Sequence, residues 1–274
     1  MSGPNSFDAY TPSQVARRID EIGIVKARQA WLPMFVLGIL AGAFIGLGAL
    51  FYVLVSSDPS LGFAARRAFG GVAFSLGLLL VAVAGAELFT GNNLLAMAWA
   101  DGKLSLVEVL RAWAIAGLGN LVGAAGLALL VYWSGHAEMN HGAIAREYVA
   151  IAAAKCALPF WTAFVRGVLC NILVCLAVWM AMAGRSVVDK AVAIVFPVSA
   201  FVAAGFEHSV ANMYLIPIGM LLEAASGTGA PQLVTWTGFL GNLVPVLLGN
   251  VVGGSVLVAL TYHLIYGQRN PKQD

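Results

Sequence analysis

Polar positions interrupt the 274-residue chain so sparingly that the apolar runs between them set its architecture. A membrane-spanning helix needs about 20 mainly apolar residues at 1.5 Å of rise each. Runs between charges predict spans near 31–56, 68–100, 107–133, 159–183, 191–222 and 240–266. Four have ordinary lengths for a bilayer. The second and fifth are too long: the run from Arg67 to Asp101 is interrupted only by Glu87, and that from Lys190 to Glu223 only by Glu207 and His208. A straight helix of that length overshoots a hydrocarbon core of roughly 30 Å by about half. Each interruption sits among residues that break a helix or compete for its backbone, "GAELFTGNN" and "AGFEHSVAN". Two discontinuous helices are therefore expected, each with a non-helical turn at mid-depth that protein shields from lipid.

An internal repeat sharpens this picture. Glu87 and Asn92 recur, at one common spacing, as Glu207 and Asn212. "GNLVG" (119–123) recurs at a slightly larger spacing as "GNVVG" (249–253), and the added length fits the longer fifth loop, "ASGTGAPQLVTWTG". Each half holds three spans, and an odd number forces the halves into opposite orientations. The expected fold is an all-α integral membrane protein of six transmembrane helices in two inverted three-helix repeats, with helices 2 and 5 broken at mid-membrane. In transporters of that design the solute site lies at the breaks. The spaced glycines of "GILAGAFIG" (Gly38, Gly42, Gly46) and the two "GNxVG" pieces suit close helix contacts.

Composition agrees and excludes other classes. At 60% hydrophobic and 10% charged residues, the chain is not a soluble globular domain. The first thirty residues are polar and of mixed charge, so no cleavable signal peptide is expected. The chain divides into an N-terminal amphipathic segment (1–30), a six-span channel domain (31–266) and a short tail (267–274). Ten Lys and Arg fall on the side of the N-terminus and four on the other, with Arg166 left a short way inside the fourth span. That bias predicts a multi-pass protein of the cytoplasmic membrane with both termini in the cytoplasm. Cys156, Cys170 and Cys175 read as small buried hydrophobes, so neither a metal nor a cofactor is expected. No nucleotide or nucleic-acid signature is present.

Candidate chemistry gathers at the two interruptions. His208 is the histidine that falls deep in a span. An ionisable group there is costly, and histidine exchanges a proton near neutral pH. Its bland reading is a neutral ring that locks two half-helices together. Glu87 and Glu207 would repel an anion, so the better reading has them holding backbone N–H groups freed by the breaks. Thr90, followed by Gly91, Asn92 and Asn93, lies where a half-helix should begin. Asn171 and Asn212 can hydrogen-bond a small polar solute, or serve as structural bridges. Phe74, Leu78, Leu88, Phe89, Phe201 and Phe206 supply apolar constrictions around a polar waist, which would exclude hydrated ions and favour a neutral, protonated solute. Lys155, just before the fourth span, attracts anions to an entrance or simply snorkels, and Arg166 can also snorkel.

"AELFTGNN", "CNILVCLAVWMA", "GFEHSVANM" and "GNVVGG", in this order, resemble the formate/nitrite transporter family over about residues 10–266. The resemblance implies an aquaporin-like architecture, a homopentamer with one pore through each protomer, and passage of small monovalent anions such as formate, nitrite or hydrosulfide. It also implies a central pore histidine at His208, a loop threonine at Thr90, waist residues at Asn171 and Asn212, and an entrance lysine at Lys155. The constrictions it implies are Phe74 with Leu78 on one side and Leu88 with Phe201 on the other. A gating role falls to the N-terminal segment at about 12–28. Glu87 stands where formate channels often carry Asp, and "ELFTG" is also a form associated with nitrite members.

The expected function is a channel or transporter, not an enzyme. It would pass formate or a similar weak-acid anion, transiently protonated at the central histidine. Nitrite or hydrosulfide is the alternative solute. An intramembrane hydrolase using Glu207 and His208 is disfavoured, because the two are adjacent in sequence and no HExxH or GxSxG stands beside them. A channel for neutral solutes would conduct indifferently to pH.

Overall fold

The computed structural model describes residues 8–227 and 232–267. Helix α1 (Pro12–Ala27) starts on a capping box in which Thr11 and Gln14 satisfy each other's backbone N–H, with proline in the first turn. The first span, α2 (Trp31–Ser56), follows directly. The second begins as α3 (Phe63–Leu80), loosens into a π-helical turn at Val81–Gly85 and stops. After a brief non-helical stretch the chain resumes as a 3₁₀ turn (Gly91–Leu94) and the short helix α4 (Leu95–Ala100). The third span, α5 (Leu106–Trp133), opens on a Ser105–Glu108 capping box.

The second half retraces this order. Helix α6 (Ala143–Cys156) leads into α7 (Phe160–Ala183), the fourth span. The fifth begins as α8 (Val187–Ala204), again on a capping box (Ser186, Asp189), breaks, and resumes as α9 (Ser209–Ala225). The sixth runs as α10 (Trp236–Val251), a π-helical stretch (Val252–Leu260) and α11 (Thr261–Tyr266). Among the described residues six helical segments are long and apolar enough to cross a membrane, and they lie on the predicted spans. Spans 2 and 5 break where predicted. The predicted tail lies outside the described residues from residue 268 onward.

Packing makes the repeat physical. Helix α2 lies between α3 and α5, as α7 lies between α8 and α10, and α3 packs on α8 across the halves. Close approach is achieved at equivalent glycines. Gly38 meets the backbone of Ala116 and Gly119, while Gly167 meets that of Val246 and Gly249. Gly123 abuts the Ile39 carbonyl as Gly253 abuts that of Val168. A methyl group at any of these contacts would wedge two spans apart.

The repeat also reaches beyond three spans. Helix α1 lies against α4 as α6 lies against α9. Lys26 at the end of α1 is separated from Lys155 at the end of α6 by the same offset that relates Gly38 to Gly167. The N-terminal helix is thus the counterpart of α6 on the opposite face of the protein. The sequence places Lys155 just before the fourth span and leaves α6 unseen, because its alanine-rich face carries no apolar run long enough to span.

Candidate functional site

Both breaks are built alike. Gly85 and Gly205, equivalent in the repeat, end their half-helices with φ of +88° and +75°, backbone that only glycine adopts freely. The next turns leave donors and acceptors without helical partners, at a depth where water cannot serve them. The Glu87 N–H donates to the Leu37 carbonyl and the Glu207 N–H to the Arg166 carbonyl, each at 3.2 Å.

Two asparagines complete the repair. Asn120 Nδ2 donates to the carbonyls of Gly38 and Glu87, and its Oδ1 accepts from the Phe89 N–H at 2.9 Å. Asn250 does the same for Gly167, Glu207 and the Ser209 N–H. The glutamates therefore do not hold freed backbone as the sequence suggested. Their carboxylates take side-chain donors: Glu87 pairs with Lys26 at 3.1 Å and accepts from Asn92 at 2.9 Å. Glu207 takes Lys155 Nζ on both oxygens at 2.9 Å and Asn212 Nδ2 at 2.7 Å. A carboxylate offers the backbone acceptors alone, whereas an amide offers two donors and an acceptor in one plane, which is what each break requires.

The two breaks touch through Thr90 and His208. Thr90 Oγ1 and His208 Nε2 are 2.9 Å apart, and both residues are buried. His208 Nδ1 accepts the Ala211 N–H at 3.1 Å and so caps the start of α9. A neutral ring held this way carries its proton on Nε2, which donates to Thr90 Oγ1. The threonine hydroxyl proton is then free for another acceptor.

A cavity lies on each side of this bridge. The one on the α6 face, about 240 Å³, is lined among others by Lys155, Arg67, Arg166, His208, Phe74 and Phe201. The one on the α1 face, about 470 Å³ and mostly apolar, is lined among others by Lys26, Glu87, Leu37, Leu78 and Leu88. Phe74 meets Phe201 edge to face at 5.7 Å, and Phe201 stacks on the His208 ring at 5.9 Å. The apolar groups thus divide as Phe74 with Phe201 and Leu78 with Leu88, not as the resemblance implied. Phe74 and Leu78 share a helix face, but one turn separates them by about 6 Å along the axis, so they stand at different depths.

Asn171 and Asn212 line neither cavity. Asn171 Nδ2 sits within hydrogen-bonding distance of the carbonyls of Thr90 and Asn250 and of Asn93 Oδ1, behind the Thr90 turn. Asn212 spans Glu207 and Asn242 Oδ1. Lys26, Asn120 and Asn250 were not singled out from sequence. Lys26 could have been found by carrying the Gly38–Gly167 offset back from Lys155, and the asparagines from their place in the repeated "GNxVG".

A family model for formate/nitrite transporters matches residues 13–264. The chain belongs to the formate/nitrite transporter family. It is 38% identical to the formate channel FocA of Escherichia coli (strain K12), across 98% of this chain and 99% of that one. It is 37% identical to the formate channel BtFdhC of Bacillus thuringiensis, across 95% and 97%. A solved structure of a pentameric formate channel with formate bound superposes with a TM-score of 0.79 at 37% identity, covering 86% of this chain and 97% of that one. A second, an ion channel of the same family, superposes with a TM-score of 0.82 at 32% identity, covering 92% and 99%. As a member of the formate/nitrite transporter family the protein is a multi-pass channel or transporter of the membrane, not an enzyme.

Proposed function

We propose that this protein passes formate, or a similar small monovalent weak-acid anion, across the cytoplasmic membrane. It would work as a homopentamer with a path through each protomer and both termini in the cytoplasm. The curated formate channels it resembles and the excess of Lys and Arg on the α1 face support this reading. The observation that carries it is the Thr90–His208 bridge, a buried pair of polar groups between two cavities and flanked by apolar side chains.

A bare anion crossing such a stretch loses several kcal/mol of solvation, whereas neutralising a weak acid near pH 7 costs about 1.4 kcal/mol per pKa unit. For an acid about three pKa units below neutrality that is about 4 kcal/mol, so protonation competes with crossing as the bare ion and gains as the source side is acidified. The anion reaches the bridge and displaces Thr90 as the acceptor of the His208 Nε2–H, while the threonine hydroxyl turns to donate to it. Neutral His208 has no spare proton, since giving up Nε2–H would leave an imidazolate. It donates only after Nδ1 gains a proton, and that breaks the Ala211 cap, worth about 0.5–2 kcal/mol. The geometry therefore favours a ring that holds the anion while a proton from the bulk solution, relayed through water in the cavity, neutralises it.

Formate flux into vesicles under an imposed pH gradient tests this. The unsubstituted protein is expected to give flux that rises as the source side is acidified, and His208→Phe to fall to the protein-free background. Unchanged pH-dependent flux in that variant would remove His208 from the mechanism. Nitrite, hydrosulfide, acetate and lactate, run in parallel, rank the solutes.

A further inference from the structure

The two cavities are related by the repeat, with one charge left over. Leu37 and Arg166 are repeat equivalents, at the same offset as Lys26 and Lys155. Each accepts the backbone N–H of its own glutamate, Glu87 or Glu207, and each lines the cavity on its own side. Lys26 is answered by Lys155, but Leu37 is answered by an arginine.

Three cationic side chains therefore face the α6-side cavity, and two are engaged. Lys155 is held by both oxygens of Glu207. Arg67 donates from Nε and Nη2 to the carbonyls of Ala203 and Val202 at the end of α8. Arg166 is exposed to the cavity, and among the described residues its guanidinium has no hydrogen bond or ion pair. On the α1 side the one cation among the described residues that lines the cavity, Lys26, is spent on Glu87.

We propose that Arg166 captures the anion at the α6-side mouth and makes the two mouths unequal in affinity. A guanidinium presents parallel donors that match a planar two-oxygen anion such as a carboxylate or nitrite. This rests on reading the path as an anion path. Its carbonyl already touches the break through the Glu207 N–H, so a captured anion moves on toward His208 without leaving the cavity. Among the described residues the α1-side mouth has no counterpart, and it takes anions without such a step.

The test measures half-saturation for formate separately at each face, in right-side-out and inside-out vesicles whose sidedness is fixed by access to an N-terminal tag. Arg166→Gln is expected to raise the α6-side constant about three- to tenfold, the loss of one unit charge at short range in a hydrated mouth. The α1-side constant is expected to move less than about twofold. Added salt should weaken α6-side capture in the unsubstituted protein and much less in the variant. Arg166→Lys should restore most of the affinity and the salt dependence. Unchanged constants in Arg166→Gln would overturn the proposal. Equal rises at both faces with no rescue by lysine would overturn it too, since they mark a structural role. If the unsubstituted protein moves another of the tested anions but not formate, the formate reading fails and that anion carries the same comparison. If none moves, both fall.

Discussion

Lys155 Nζ sits 2.9 Å from both carboxylate oxygens of Glu207, and the lysine side chain is only 14% exposed. The pair welds the end of α6 to the second break. Removing one member leaves the other buried without its counter-charge, which costs about 3–5 kcal/mol. Lys155→Met is therefore expected to lower the thermal unfolding temperature in detergent sharply. Lys155→Met with Glu207→Gln should recover much of the loss, because Asn212 and Asn242 still serve the neutral amide. A double variant no more stable than Lys155→Met alone would show that the ion pair is not what the lysine supplies.

Asn250 is expected to matter as much without carrying charge. Its side chain serves the carbonyls of Gly167 and Glu207 and the N–H of Ser209. Asn250→Ala orphans the Glu207 carbonyl and the Ser209 N–H at mid-depth, while the Gly167 carbonyl keeps its partner within α7, at about 1–3 kcal/mol for each group left unsatisfied. The variant should assemble poorly or unfold early, and Asn120→Ala should behave alike through the Glu87 carbonyl and the Phe89 N–H. Near-normal stability in both would mean that water reaches the breaks.

The helix breaks and the inversion were legible because they rest on run lengths and on identities that recur at a fixed offset. Glu87 and Glu207, Asn92 and Asn212, and Asn120 and Asn250 all belong to that repeated scaffold. The chemistry sits where the repeat fails. Thr90 answers to Val210, His208 to Leu88 and Arg166 to Leu37. His208 stands out in the sequence by its cost in a membrane, whereas for Arg166 the sequence offers only that it can snorkel, since the residues that share its cavity lie far apart in the chain. For Asn171 and Asn212 the sequence left solute contact and structural bridging equally open. An amide in a span looks the same whether it faces a solute or another amide, and the deciding contacts join residues far apart in sequence, as Asn171 to Thr90.

On the α1 face, Asp20 is buried with Lys103 Nζ 2.7 Å away, and Lys103 also reaches Asp101 at 2.8 Å. Burial, reinforced by Asp101 and opposed by Lys103, pushes the Asp20 carboxyl up to about 6. A folded value above the unfolded one means that docked α1 binds the extra proton. The contribution to stability is therefore complete below about pH 4 and lost as pH rises through about 6. A spin label at exposed Val25 (Val25→Cys) is expected to be less mobile near pH 5 than near pH 7.5. Asp20→Asn should flatten that difference, and a difference that survives the substitution would assign the effect to another group.

Thr90 offers the most direct probe of the bridge, because its backbone and its hydroxyl have separate duties. The carbonyl accepts from Asn171 Nδ2 and Cys175 Sγ and holds the turn, while Oγ1 faces His208. Thr90→Ser keeps the hydroxyl and should retain formate flux within a few-fold. Thr90→Val keeps the shape, but leaves the His208 Nε2–H unpaired and removes a donor to the anion. Loss of one such hydrogen bond in a dry site is worth about 1–3 kcal/mol, so flux should fall about tenfold or more. The fall should appear at every pH, since threonine does not titrate, which separates its role from that of the proton source. Equal fluxes in the two variants would show that the anion never meets the hydroxyl, and would leave His208 alone at the crossing.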